Sequence, residues 1–291
     1  MIRGNLIKIM VLNLGTKSKV ITLLLIAEAS VRILGISNVP IREVSNTYGY
    51  IPRASQSGRF LLNDWAINAM HMITSAEFTT RDNEVLLVGD SVLFGGNRLS
   101  QKQRVGEQLD MRLKKTSSYT IADGSWGFKN GLNYIEQNLD EIRGTETIIF
   151  VLNSGDFGTP SSWRCTSYHP IDRPYSHLVF AVRKYFWPAC LNKTPSHLVV
   201  PDYNYVEKLQ EIHRALNQPR LIILLYQNKS EFSENLTLKP LLDSQVLQYA
   251  EVFELTDYYN IWELNYYTDS IHPNAAGAAA LADILKEVLN F

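Results

Sequence analysis

Two short motifs, far apart in the chain, carry residue types that could together perform nucleophilic catalysis. Gly89-Asp90-Ser91 closes a short apolar run, and Thr268-Asp269-Ser270-Ile271-His272-Pro273-Asn274 precedes the chain's last helical pattern. A serine at a tight strand-to-helix turn has its hydroxyl held out of the sheet, and the backbone N–H groups that follow can stabilise an oxyanion. Such a serine needs a base, and the base needs an orienting carboxylate. Pro273 suits a first helical turn, which places His272 at the mouth of the last helix. Asp269, three residues earlier, is close enough to hold the imidazole by its Nδ1–H. Ser91, His272 and Asp269 are therefore the candidate nucleophile, base and orienter. Gly-Asp-Ser alone is a common turn sequence; its pairing with Asp-x-x-His-Pro is the more specific signal. His71, His169, His177, His197 and His213 lack this arrangement and read as surface or packing residues.

Elements must bring these two motifs together. Val85–Val88 is a continuously apolar run ending in Gly89, as expected of a strand buried on both faces. Tyr119–Ala122, Thr147–Leu152, Leu221–Leu225 and Glu251–Leu255 give further strands. Helical spacing predicts helices over 101–115, from Leu132 to Ile142, from Tyr203 to Leu216 and from Ala275 to Leu289. Strands alternating with helices predict an α/β domain over 84–291, with a parallel sheet of about five strands covered on both faces. Functional groups of such sheets collect at the carboxyl ends of the strands, where Ser91 falls. Residues 159–200 read as an insertion after the third strand, and 37–83 as an irregular lead-in broken by Gly49, Gly58, Pro40 and Pro52.

Composition sets the outer limits. Lys and Arg number 28 against 29 Asp and Glu, a formal net charge of −1, with 45% hydrophobic and 20% charged residues. This excludes disorder or a coiled coil as the main content, and with no basic stripe it argues against nucleic acid as a partner. No metal or organic cofactor is implied, because a serine triad needs none and no ligand cluster is present. Cys165 and Cys190 are the sole cysteines. They form a disulfide in an exported protein or are two unrelated thiols in a cytosolic one.

Residues 1–36 place Arg3, Lys8, Lys17 and Lys19 before the apolar run Val20–Ala27, like the start of a signal anchor. The uninterrupted run is only about eight residues, where about 20 span a bilayer. Extending it to Ile36 takes in Glu28 and Arg32, which are spaced to pair on one helix side. A membrane anchor facing the periplasm or cell exterior is the expectation, with an amphipathic or buried helix of a cytoplasmic protein as the alternative.

In this combination and order the chain resembles the SGNH (GDSL-type) hydrolase superfamily over residues 85–289. The resemblance implies a flavodoxin-like three-layer αβα sandwich and a Ser91–His272–Asp269 triad. Ser91 would supply one oxyanion N–H. Gly124-Ser125-Trp126-Gly127-Phe128-Lys129-Asn130 is similar to a subgroup with Ser-Trp-Gly-x-x-Asn after the second strand, which implies Gly127 as a second donor. The third block departs from the family's Gly-x-Asn-Asp, reading Asn153-Ser154-Gly155-Asp156. Either Asn153 swings its amide into the oxyanion hole, or one donor is missing, a loss of about 2.7–4 kcal/mol of transition-state stabilisation. Glu28-x-x-x-Arg32 and Tyr50-Ile51-Pro52 loosely resemble the lead-in of membrane-tethered bacterial members, generally exported enzymes acting on cell-surface glycans.

The leading expectation is a serine esterase that removes a small acyl group, acetyl above all, from a carbohydrate or related ester. The alternatives are an O-acyltransferase acting on an exported polysaccharide, and a non-catalytic glycan-binding protein of the same fold. Tyr266 and Tyr267, with Tyr258, Tyr259 and Trp262, lie just before the candidate Asp and are placed to border substrate. Trp163, Tyr168, Tyr175, Tyr185, Phe186 and Trp187 of the insertion either line a sugar-stacking cleft or pack the insertion.

Overall fold

The structure, a computed structural model, describes residues 3–79, 84–114, 116–187, 190 and 193–290, with backbone alone over 3–14. In chain order the elements are α1 (Arg3–Ile33), β1 (Arg42–Ser45), β2 (Gly49–Pro52), β3 (Gln56–Phe60), β4 (Asn63–Ile67), β5 (Glu84–Gly89), α2 (Ser91–Phe94) and α3 (Val105–Asp110). Then come β6 (Ser118–Ala122), α4 (Phe128–Gln137), β7 (Thr145–Leu152), α5 (His177–Phe186), α6 (Tyr205–Ala215), β8 (Arg220–Leu225), α7 (Lys229–Ser233), β9 (Ala250–Glu254) and α8 (Ala275–Asn290).

Five strands form one all-parallel sheet in the order β6-β5-β7-β8-β9. Successive side chains of a strand point to opposite faces, and the apolar runs use both. Leu87, Ile149, Ile222 and Leu224 pack on one face with Val105 and Leu109 of α3 and Leu281 and Leu285 of α8. Leu86, Val88, Ile148 and Ile223 pack on the other with Leu132 and Ile135 of α4 and Leu209 and Ile212 of α6. Each such fully buried aliphatic side chain contributes about 1.5–3 kcal/mol. This is the three-layer αβα sandwich anticipated, and its strand order is the flavodoxin-like one. The order reverses between β5 and β7, so a crevice opens at their carboxyl ends, where Ser91 follows β5.

Several boundaries differ from the pattern. The helix expected over 101–115 is a short 3₁₀ turn, Gln101–Gln103, followed by α3, which stops at Asp110. The helix α4 stops at Gln137, short of Leu139 and Ile142. The lead-in is not irregular: β1 pairs with β2 and β3 with β4 as two antiparallel hairpins. Their strands are only four or five residues long, and the second hairpin turns through Leu61 at φ +52° rather than through the glycine or asparagine that marks such turns.

Polar bonds fasten this lead-in to the sheet. Arg42 of β1 donates to both oxygens of Asp123 at 2.9 and 2.7 Å, just past β6, with both side chains buried. Trp126 Nε1 donates to the Tyr50 carbonyl at 2.7 Å, and Tyr50 Oη to that of Gly124 at 2.6 Å. Asn130 is fully buried and fully used: its Nδ2 donates to the carbonyls of Tyr48 and Ser161, and its Oδ1 accepts from Gly127 N and Ser161 N. The Ser-Trp-Gly-x-x-Asn sequence thus joins the hairpin β1–β2, the insertion and the start of α4.

Within the insertion, Cys165 and Cys190 are disulfide-bonded, with Cα atoms 5.7 Å apart. Glu28 and Arg32 pair at 2.7 Å. Glu28 also accepts from the N–H groups of His177 and Leu178 at 2.9 and 2.8 Å, and so caps α5. Val20, Ile21 and Leu23–Ile26 of α1 are exposed. Among the described residues, no helix is long and apolar enough to cross a membrane.

Candidate active site

A single helical turn presents Ser91. Asp90 caps it by accepting from Val92 N at 2.8 Å, and Gly95, at φ +72°, ends it with its N–H on the Ser91 carbonyl. Only a residue without Cβ fits Gly89 below this turn, since a Cβ there would come within 2.8 Å of the Val151 carbonyl oxygen. Phe94 is flanked by the guanidinium groups of Arg42 and Arg104, 5.4 and 5.3 Å from its ring centre. Arg104 also donates to the Phe94 and Gly96 carbonyls and so fixes the end of the turn.

His272 and Asp269 lie on a loop closed by its own backbone. Thr268 N donates to the His272 carbonyl at 2.8 Å and Asn274 N to that of Tyr266 at 2.7 Å, with Tyr267 and Pro273 bridged antiparallel. Pro273 therefore sits in this bridge rather than in the first turn of α8. Asn274 caps the helix instead, its Oδ1 accepting from Gly277 N at 2.9 Å. Tyr226 Oη donates to the Ile271 carbonyl at 2.8 Å, which pins the loop to the end of β8.

The three predicted residues meet across this crevice. Asp269 Oδ1 accepts from Ile271 N and His272 N at 3.1 and 2.9 Å, and both its oxygens lie 3.0 Å from His272 Nδ1. Burial alone would raise the Asp269 carboxyl, but the two backbone N–H groups and the imidazole outweigh it and bring it down to about 2. An ionised carboxylate only accepts, so the proton of a neutral imidazole sits on Nδ1 and Nε2 is the acceptor. Nε2 lies 2.9 Å from Ser91 Oγ, while Asp90 Oδ2 competes for the same hydroxyl proton at 3.2 Å.

The candidate oxyanion donors are placed differently. Gly127 N–H is committed to Asn130 Oδ1 at 3.0 Å. Both hydrogens of the Asn153 amide are committed too, to Asp90 Oδ2 at 3.0 Å and Asp156 Oδ2 at 2.9 Å, while its Oδ1 accepts from Gly155 N. Neither group meets an oxyanion until those bonds are exchanged, and the Ser91 N–H beside the nucleophile is likewise drawn on by the Asp90 carboxyl. The altered third block has a physical role of its own here. Asn153 bridges two buried carboxyls, and Gly155 offers no side chain. Burial pushes both carboxyls up, Asp156 well above the ordinary aspartate range with the charge of Asp90 adding to it.

Tyr266 and Tyr267 do not border the cleft. Tyr267 is 5% exposed, donates its hydroxyl to the Gln227 carbonyl at 2.6 Å and packs with Tyr226 and Trp262. Tyr266 packs edge-on against Trp262. Both hold the His272 loop from beneath. The cleft beside Asp269 and His272 has a volume of about 340 Å³ and is lined instead by Phe60, Tyr185 and the loop Gly95–Arg98. Of the insertion's aromatic residues, Tyr185 alone lines it. Phe60 lies in the lead-in, whose pattern gave no element to place it. Arg98 reaches Asp269 Oδ2 at 3.4 Å from the solvent side. Gly95-Gly96, directly after the serine turn, was the available sign that the chain makes room there.

Among solved structures, a member of the lipolytic protein G-D-S-L family from Veillonella parvula is 14% identical, covering 71% of this chain and 98% of its own at a TM-score of 0.43. A family two carbohydrate esterase from Clostridium thermocellum, solved in complex with cellohexaose, is 12% identical, covering 74% of this chain and 66% of its own at 0.40. The C-terminal catalytic domain of peptidoglycan O-acetyltransferase A from Streptococcus pneumoniae is 13% identical, covering 72% and 94% at 0.36. No family model and no curated protein matches the chain.

Proposed function

We propose that the protein is a serine acyl-ester hydrolase, and the observation that carries this is the unbroken relay from Ser91 Oγ through His272 to Asp269. Ser91 attacks the ester carbonyl as Nε2 of His272 takes its proton. Asp269 steadies the imidazolium, and the Ser91 N–H at the start of α2, exchanged from the Asp90 carboxyl, meets the developing oxyanion. Collapse expels the alcohol with the proton from His272. Water activated by the same imidazole then releases a carboxylic acid from the acyl-enzyme.

The Cys165–Cys190 bond supports an oxidising compartment. With the exposed apolar side chains from Val20 to Ile26 on α1, it favours an exported protein resting on a membrane surface.

The test is hydrolysis of 4-nitrophenyl acetate by the full chain beside Ser91→Ala, with labelling by a fluorophosphonate. Turnover and labelling that both vanish in Ser91→Ala support the reading. A folded parent that neither turns over nor labels at Ser91 overturns it. Labelling with acyl transfer to a sugar hydroxyl, and no free acetate, assigns the O-acyltransferase activity instead.

A further inference from the structure

We infer that the ester this site takes is carried on a pyranose ring, and that Phe60 and Tyr185 are the residues that select it. This rests on the acyl-ester reading above and names the substrate class of the same site. The cleft beside Asp269 and His272 combines two aromatic side chains with a glycine-rich stretch and two polar side chains, Asn97 and Arg98. Aromatic faces carry partial negative charge, and the axial C–H groups of a pyranose present a weakly positive, flat, apolar face that complements them. The equatorial hydroxyls then point sideways to amide and guanidinium groups. Gly95 and Gly96 leave the room that a ring needs beside the nucleophile's turn.

Both aromatic residues are held in place rather than merely exposed. Phe60 closes β3, whose hairpin is tied by the Arg59–Asp64 ion pair at 2.6 Å and by Leu61 N donating to the Leu34 carbonyl at 2.8 Å. The same hairpin fixes the facing loop, since Asn63 Nδ2 donates to the carbonyls of Asn97 and Arg98 at 2.9 and 3.2 Å. Tyr185 sits in the last turn of α5, whose first turn is capped by Glu28. It is 45% exposed, and its hydroxyl is raised by partial burial. Recognition surface therefore comes from two segments outside the sheet, converging on a triad built by the sheet.

The experiment compares per-O-acetylated glucose with glycerol triacetate, which offers acetyl esters on a flexible acyclic backbone. Turnover is measured for the full chain, Phe60→Ala, Tyr185→Ala and Tyr185→Phe, and binding of both esters to Ser91→Ala and its double variants is followed by NMR. Each alanine variant is expected to raise KM for the glucose ester about five- to tenfold more than it raises KM for the triacetate, with Tyr185→Phe restoring it. Equal effects on both esters, or none, overturn the proposal. If Ser91→Ala binds the glucose ester through Phe60 and Tyr185 while the parent hydrolyses nothing, the pyranose site stands and the hydrolase reading falls.

Discussion

The sheet and the segments that cover its carboxyl end are built by different physics. In β5, β7 and β8 nearly every side chain is buried, and apolar contact on two faces holds the strands. The hairpin of 56–67 and the insertion's helix α5 alternate or expose their side chains. The covering segments are fastened by Arg42 on Asp123, Asn130 on four backbone groups, Glu28 on α5 and the Cys165–Cys190 bond. The difference separates two tasks. The sheet and the loop pinned to it bring Ser91, His272 and Asp269 together, while the cover supplies Phe60 and Tyr185 at the cleft. Perturbing the sheet's side of the site should therefore affect every ester alike, and perturbing the cover should affect them selectively.

The largest expected effect comes from Asp269→Asn. The two N–H groups of Ile271 and His272 keep an acceptor oxygen facing them, so the new NH₂ is turned toward His272 Nδ1. The imidazole proton then moves to Nε2, which faces Ser91 as a donor and no longer takes its proton. A fall of about 10⁴-fold in kcat is expected, equal for the glucose ester and the triacetate, with KM little changed. A fall confined to one ester would show that the two regions do not divide the work as described.

How much of this the sequence carried follows the same division. Apolar runs such as 85–88 and 147–152 have no polar alternation and are too short and too rich in β-branched residues for a buried helix, so the sheet was readable. The meeting of Ser91, His272 and Asp269 was readable because Asp269 and His272 are local to each other, and the parallel sheet placed Ser91 at a strand's carboxyl end. Phe60 was not, because β3 and β4 are short, polar and joined through Leu61 and Leu62, which carry no turn signal. Tyr267 misled for the opposite reason. An aromatic residue next to a catalytic loop serves equally well as its support, and burial rather than position decides. Asn153 shows a third limit, since a side-chain amide's partners are set by tertiary contacts with Asp90 and Asp156.

That buried trio gives the second prediction. With carboxyls raised above their unfolded values, the native chain holds protons that the unfolded chain has released. This stabilisation is complete below the ordinary aspartate value of 3.8 and is lost as pH rises through the raised values of the pair. Asp156→Asn removes the titration and retains an acceptor for the Asn153 amide. The stability difference between parent and variant should move in the variant's favour as pH rises, by up to about 1.4 kcal/mol per pH unit while the group titrates. Thermal melting from about pH 5 to about pH 9 reads it, and parallel curves would refute it. The ratio of the two ester activities should stay constant, because no cover residue is touched.

The smallest effect expected, and the most selective, lies at Glu28. The N–H groups of Leu178 and His177 are the main causes that hold its carboxyl at about 2, below the ordinary 4.5. The cap is therefore ionised at neutral pH, and its contribution is complete above 4.5 and lost as pH falls toward 2. Glu28→Gln keeps an acceptor oxygen but removes the charge at the N-terminus of α5. Amide exchange at His177 and Leu178 should quicken several-fold, and KM for the glucose ester should rise by less than Tyr185→Ala raises it. Triacetate turnover should not change. Because Glu28 reaches Tyr185 only through the length of α5, a selective KM effect here would make α1 a positioning element for the cleft. Faster exchange without any KM effect would instead confine Glu28 to holding the insertion, leaving Tyr185 fixed by its own packing.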